Sequence, residues 1–389
     1  MAFASTSWGT SWCPGWRIRR VSAVVPQPLR DLRLLQRDYS LVPPPRYKVS
    51  PLDFVIDRTR VLGSGSFGTV YEAKKVVAPE EGLEVAAKTV AKERLQGVQL
   101  DDALYYTAIE RYANDQVRAT IESNTDAALA DHVARYLGFG EHAGTEWLFF
   151  ERIPGSTLET YFNSETDDIA FALALSQALN INATDSSEDG VHILRHLVLR
   201  VASEVLETLV SFTRLGMVHR DMKPLNWMID EQRRCLRVLD LGSAAFISTP
   251  RYGAAIGYNA RWGPADPDFV PPERFLDPRF PYQFDVYSCA LSLLRIAVPG
   301  LRKIASFRAF VEEFRIRHQS DLALYASRVF NGTASFIPDK FVTGLVVLKA
   351  DDGRLFEFVR QMLRESPSDR LSPEAALVTL AKIHGAITA

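Results

Sequence analysis

HRDMKPLN, residues 219–226, lies between two apolar stretches, LGMV before it and WMID after it. Burying charge without compensation is expensive. His219, Arg220, Asp221, Lys223 and Asn226, set between segments that read as buried, therefore need partners or a task. The stretches CLRVLDL, residues 235–241, and LNWMID read as short strands that would hold such a loop on a rigid base. From Asp221 to Asn226 the loop is short enough to present an acid, an amine and an amide to one cavity.

The chain around this loop is long enough for two lobes or domains, with 389 residues, 47% of them hydrophobic and 24% charged. Lys plus Arg number 45 against 47 Asp plus Glu, so no global field recruits nucleic acid or an anionic membrane, and any anionic ligand must be bound locally. The three cysteines, Cys13, Cys235 and Cys289, show no metal-ligand spacing and are too few for a disulfide framework. Cys289 sits in the apolar run DVYSCALSLLRIAV and reads as a buried, inert thiol.

Before Asp31 there is no acidic residue, while Arg17, Arg19, Arg20 and Arg30 mix with Ser5, Ser7, Ser11 and Ser22, the bias of an organelle transit peptide. The prolines of PQPLR and LVPPPRYKVSP then read as a linker, which makes residues 1–49 an N-terminal extension and starts the folded domain near Pro51. No stretch reaches the ~18 apolar residues of a membrane span. The nearest, IAFALALSQALNINA, reads as a packed amphipathic helix, with peripheral membrane attachment the lesser reading.

A glycine pattern, VLGSGSFGTVYEA, opens the domain. Its G-x-G-x-x-G runs on into VYEAKKVV, a strand, so it reads as a hairpin lying over phosphates and not as a turn opening a helix. Glycines there leave backbone N–H groups free to approach phosphate oxygens. Lys88, ending VAAK in the alternating run LEVAAKTVAK, would put one amine on the sheet beside that hairpin. A lysine near phosphates needs a carboxylate to hold it. LDDALYYTAIERYANDQVRATI places Leu104, Ala108, Tyr112 and Val117 at helical spacing with Glu110 near its centre, so Glu110 is the expected partner, with Glu93 and Glu122 as alternatives.

Together these motifs resemble the eukaryotic-type protein kinases over residues 61–370: LGSGSFGTV, VAAK, HRDMKPLN, DLG from Asp240, PPE ending at Glu273, DVYS from Asp285, and Arg370 follow in the family's order. The resemblance implies an α+β bilobal kinase fold, with a small β-rich N-lobe over residues 50–152 and a larger, mainly helical C-lobe over 153–385. By it, Asp221 takes or orients the substrate hydroxyl's proton and Lys223 neutralises charge on the travelling phosphoryl group. Asn226 and Asp240 would hold Mg²⁺, and Lys88, paired with Glu110, would contact the α and β phosphates of ATP. Leu62, Gly63, Ser64, Gly65, Ser66, Phe67, Gly68 and Val70 would cap the nucleotide. WLFFERIPGSTL would hold the hinge, with Phe150 as gatekeeper and Glu151 to Ile153 offering backbone hydrogen bonds to adenine. Arg220 implies an activation segment that it binds when phosphorylated, at Ser248, Thr249, Tyr252 or Tyr258. Glu273 and Arg370 resemble the family's buried ion pair.

DLG stands where the family usually has DFG and PPE where it has APE, which changes packing residues and keeps the acids. Lys223 within H-R-D-x-K-P-x-N is similar to the serine/threonine class. VHRDMKPLNWMI, LRVLDLGSAA and FVPPERF are similar to the chloroplast thylakoid state-transition kinases, which implies protein substrates, a chloroplast location with the cytoplasm as alternative, and thylakoid proteins as targets. That group's membrane anchor and paired-cysteine element are not seen in this sequence. Two other classes stand against a protein kinase: a catalytically weak pseudokinase scaffold, and a small-molecule phosphotransferase. HILRHLVLRVASEVLETLVSFTRL and DVYSCALSLLRIAV read as packed neighbours, and residues 163–190 as an insertion.

Overall fold

The β-branched and aromatic residues Phe54, Val55, Ile56, Val61, Val70 and Tyr71 suit two paired strands, β1 (Phe54–Ser64) and β2 (Gly68–Lys75). They form an antiparallel hairpin that sets Gly63 opposite Val70 and Ser64 opposite Thr69. The computed structural model describes residues 42–65, 68–90, 92, 95–164, 167–181, 190–247, 265–350 and 352–385. Next come β3 (Glu84–Val90), α1 (Val98–Glu122), α2 (Ala127–His132), β4 (Tyr136–His142) and β5 (Thr145–Glu151). The strands make one antiparallel five-stranded sheet in the order β1-β2-β3-β5-β4. Phe54, Val85, Ala87, Leu137, Trp147 and Phe149 fill its core, with Phe54 stacked on Phe149 at 4.0 Å between ring centroids.

The helix α1 is buried on more sides than its apolar spacing predicts. Tyr112 and Val117 are inside as expected, but so are Arg111, Asn114 and Asp115. The cause is the segment read as a linker. Residues 42–50 lie along α1 and β4: Arg46 donates its amide to Asp115 at 2.9 Å, Arg111 donates to the Pro43 carbonyl at 2.6 Å, and Tyr47 donates to Glu122 at 2.6 Å. The amides of Phe139 and Val49 exchange bonds with the carbonyls of Tyr47 and Phe139 at 2.9 Å. Prolines that exclude regular structure have not excluded docking, because a proline keeps its carbonyl acceptor. Among the described residues the packed region therefore already includes residues 42–50, ahead of the boundary near Pro51.

Past β5 the chain turns helical, with β6 (Gly155–Thr157), α3 (Leu158–Ser164), α4 (Asp168–Ala178) and α5 (Gly190–Arg214). Then follow β7 (Met217–Val218), β8 (Trp227–Asp230), β9 (Cys235–Val238), β10 (Ala245–Phe246) and α6 (Gln283–Ala297). The last helices are α7 (Ile304–His318), α8 (Leu322–Phe330), α9 (Phe341–Lys349), α10 (Arg354–Met362) and α11 (Pro373–Gly385). The apolar helices α5 and α6 pack together at the centre, as their composition predicts. Cys289 on α6 is fully buried, and burial pushes its thiol well up, so it is inert. Within the insertion, α4 packs on α5 and buries Phe171 and Leu175 while Ile169 and Leu173 stay exposed. Arg302 stacks over the Phe171 ring at 3.8 Å and bonds Asp168 at 3.0 Å. Among the described residues, no helix is long and apolar enough to cross a membrane.

Candidate active site

Strand pairing starts the site. Lys88 on β3 lies opposite Val70 of the glycine hairpin and Leu148 of β5. Within the hairpin Leu62 is exposed, Gly65 donates its amide to the Gly68 carbonyl at 2.9 Å, and a Cβ on Gly68 would meet the Thr89 carbonyl oxygen at 2.8 Å. Glycine at 68 is thus what lets β2 run this close to β3. Ser66 and Phe67 lie outside the described residues.

Lys88 Nζ donates to Glu110 Oε1 at 2.9 Å and to Asp240 Oδ1 at 3.0 Å, so one amine joins the sheet, α1 and the DLG turn. Of the acids weighed as its partner, Glu110 holds it, Glu122 instead bonds Tyr47 and Arg118, and Glu93 lies outside the described residues. Burial opposes the charge on Lys88, but Asp240 and Glu110 outweigh it and hold the amine above the usual lysine range. Burial pushes the Glu110 carboxyl up to about 7 against the pull of Lys88, with Asp240 adding repulsion. Burial works against Asp240 too, yet Lys88 and the Gly242 amide bring its carboxyl below the usual range. Of two acids sharing one amine, Asp240 is held toward its charged form and Glu110 is pushed away from it.

Asp240 takes a left-handed backbone at φ 59°, and its carboxylate accepts from the Gly242 amide at 3.2 Å. A Cβ on Gly242 would lie 3.1 Å from Asp240 Oδ1 and 3.7 Å from Glu110 Oε2, so glycine keeps this turn pressed against both acids. Leu241, the departure from DFG, is buried in the main core.

The opening octapeptide is anchored from behind. Asp285 of α6 accepts the backbone amides of His219 at 2.7 Å and Arg220 at 2.8 Å. Arg220, at φ 69°, donates its side chain to the carbonyls of Ser243 and Ala244, just past the DLG turn. The segment it was expected to bind when phosphorylated, with Ser248, Thr249, Tyr252 and Tyr258, lies outside the described residues. Asp221 is fixed on several sides. Asn226 Nδ2 donates to its Oδ2 at 2.9 Å and Lys223 Nζ lies 3.0 Å from the same oxygen. Burial raises the Asp221 carboxyl, against the pull of Lys223. The β8 and β9 strands carry the two ends of the site, for the Leu239 amide donates to the Asn226 carbonyl at 2.9 Å.

Asn226 spends its Nδ2 on Asp221, which leaves its amide oxygen as an acceptor. A carboxylate and an amide oxygen are hard donors that suit Mg²⁺, which takes few protein ligands and fills its octahedron with water and phosphate oxygens. At the end of β5, the Glu151 amide donates to the Arg135 carbonyl and the Arg152 amide to the Glu84 carbonyl, while Ile153 follows in a buried position and Phe150 is half-buried. Glu273 and Arg370 form a two-pronged pair at 2.8 and 3.1 Å, with Arg370 stacked on Tyr287.

Two acids in this site carry no role in the sequence reading. Asp285 was visible only as part of a motif. Asp266 bonds the catalytic loop, and its sole sequence signal is an acid in GPADPDF just ahead of PPE.

A family model described as protein kinase domain matches residues 56–379. Among curated proteins, the chain is similar to the chloroplastic serine/threonine-protein kinase STN7 of Arabidopsis thaliana, 26% identical over 345 residues. It is also 26% identical over 364 residues to that plant's chloroplastic STN8. Each match covers 84% of this chain, but only 56% of STN7 and 69% of STN8, so the chain spans little more than half the first relative's length. A crystal structure of a Stt7 homolog from Micromonas algae, soaked with ATP, has a like fold at TM-score 0.63 and 22% identity, covering 85% of this chain and 92% of that one.

Proposed function

This chain belongs to the protein kinase family, and we propose that it transfers the γ-phosphoryl group of ATP to serine and threonine hydroxyls of protein substrates. The carrying observation is the convergence of Lys88, Glu110 and Asp240 within 3.0 Å, next to a loop that holds Asp221, Lys223 and Asn226 together. Phosphoryl transfer calls for positioning and charge neutralisation more than covalent help from protein. In this reading the hairpin from Leu62 to Val70 covers the nucleotide and Lys88 meets its α and β phosphates. Adenine lies against the backbone from Glu151 to Ile153. Asn226 and Asp240 hold Mg²⁺, which supplies charge neutralisation to the phosphates. Asp221 orients the substrate hydroxyl and accepts its proton as the hydroxyl oxygen bonds to the γ-phosphorus and the bond from that phosphorus to the bridging oxygen breaks, releasing ADP, while Lys223 faces the charge on the transferring group. The relatives named serine/threonine kinases and the lysine in HRDMKPLN support the choice of hydroxyl.

The acid-poor leader and the two chloroplastic relatives support a chloroplast location, and the likeness of VHRDMKPLNWMI, LRVLDLGSAA and FVPPERF to thylakoid state-transition kinases is what supports thylakoid proteins as substrates. Incubating the purified protein with γ-labelled ATP and chloroplast extract should place label on phosphoserine and phosphothreonine. Label equal to that of an Asp221→Asn control, or confined to small molecules, contradicts the reading. Fusing the first fifty residues to a fluorescent reporter tests the location; a cytosolic signal counts against it.

A further inference from the structure

One acid in the site is left without a task by the phosphoryl-transfer reading. Asp266 is far from Asp221 in sequence, yet its amide donates to Asp221 Oδ1 at 3.2 Å. Its carboxylate oxygen Oδ2 lies 3.4 Å from Lys223 Nζ, which also lies 3.0 Å from Asp221 Oδ2. Lys223 is therefore shared between two acids, and its amine is raised above the usual lysine range, against the effect of burial, by both of them.

The turn that presents Asp266 is firmly built. Its Oδ1 accepts the Asp268 amide at 3.0 Å, and its carbonyl accepts the amides of Phe269 at 3.0 Å and Val270 at 2.9 Å. Asp268 is in turn held by Arg308 of α7 through bonds of 3.0 to 3.2 Å. Arg315 of the same helix donates to the carbonyls of Pro267 at 2.8 Å, Asp268 at 3.0 Å and Val270. An unbroken chain of bonds thus runs from α7 to the carboxylate that would orient the substrate.

We propose that Asp266 is a positioning residue for phosphoryl transfer: its amide fixes the Asp221 carboxylate, and its own carboxylate keeps Lys223 from pairing wholly with Asp221. The inference rests on the kinase reading. An amine bound to Asp221 alone would cover the oxygen that must meet the substrate hydroxyl. A second acid draws the amine across the floor of the site, where it can meet the phosphoryl group. Asparagine at 266 keeps an oxygen for the Asp268 amide and leaves the backbone bond to Asp221 in place. Only the competing charge is lost.

Steady-state kinetics on the purified full chain, with ATP and an unphosphorylated acceptor protein taken from those labelled in the chloroplast extract, test this alongside melting curves. Asp266→Asn should lower kcat at least ~10-fold, with the KM for ATP unchanged because Lys88 and the glycine hairpin are untouched. Asp266→Glu, which restores the charge, should recover at least about a third of wild-type kcat on the same scale. Asp266→Ser serves as a second neutral variant, so one folded neutral protein is enough to decide. A folded neutral variant with kcat within about twofold of wild type, or a kcat loss that glutamate does not rescue, overturns the proposal. Wild-type transfer no greater than that of Asp221→Asn overturns the kinase reading and takes this proposal with it.

Discussion

Lys88, Glu110 and Asp240 divide one positive charge between two carboxylates, and the division is unequal. Asp240 is held toward its charged form by Lys88, while Glu110, deeper in the protein, is pushed up to about 7 by burial. Hydrogen bonds to charged groups contribute about 1.5–3 kcal/mol, so replacing Glu110 by glutamine should lower kcat/KM for ATP by roughly 10- to 100-fold. Steady-state kinetics would check this; an unchanged kcat/KM would mean that Glu110 does not hold Lys88 in the working state. At this scale the sequence was largely legible. The order and spacing of VAAK, HRDMKPLN and DLG single out the side chains that the fold brings together. Asp266 was not legible, since its value lies in a contact made 43 and 45 residues away, to Lys223 and Asp221, and an acid among prolines carries no periodic signal.

Single elements carry the next lessons. The expectation that α1 has one apolar face fails because residues 42–50 cover a second face with Arg111, Asp115 and Glu122 as anchors. Extended, proline-rich sequence has no period to read, so its docking shows only in three dimensions. A chain shortened to begin at residue 51 should lose at least ~2 kcal/mol of unfolding free energy relative to one beginning at residue 42, since several hydrogen bonds of about 1 kcal/mol are removed. Denaturant unfolding of the two would measure it, and equal midpoints would contradict the packing described. Another joint lies at the end of α2. Burial opposes a charge on His132, but the Cys235 thiol, Glu207, Glu204 and the Leu236 carbonyl outweigh it and raise its pKa to about 10. A proton held more tightly in the folded state contributes stability that is complete below the ordinary histidine value near 6.5 and lost as the pH climbs through 10. Melting temperature should therefore fall between pH 7 and 10, and fall less in His132→Gln; parallel curves would count against the imidazolium.

For the whole molecule, the larger lobe is locked by charge as well as by apolar packing. Arg370 is buried, and its guanidinium meets Glu273, the Tyr287 ring and the carbonyls of Gln283, Arg364 and Glu365. Removing one partner of such a pair strands a buried charge, so Glu273→Ala should cost about 3–5 kcal/mol in unfolding free energy. A loss under about 1 kcal/mol, the range of an exposed pair, would contradict that picture. The bilobal plan was implied by the resemblance to the protein kinases, while the central α5–α6 pair and the strands around the catalytic loop were read from their apolar runs. The insertion was visible as a segment and its helix as a packed one, but the tie from Arg302 to Asp168 and the Phe171 ring, made between residues far apart along the chain, was not.

The central claim is that Lys88, Asn226 and Asp240 converge on one magnesium nucleotide. Calorimetric titration of the purified protein with ATP, with and without Mg²⁺, tests it most directly when Asp240→Asn is run beside wild type. The account predicts binding that Mg²⁺ strengthens at least ~10-fold in wild type, with that gain lost in the variant. ATP affinity that is indifferent to Mg²⁺ in the wild type, or equally strengthened by it in both proteins, would contradict the claim.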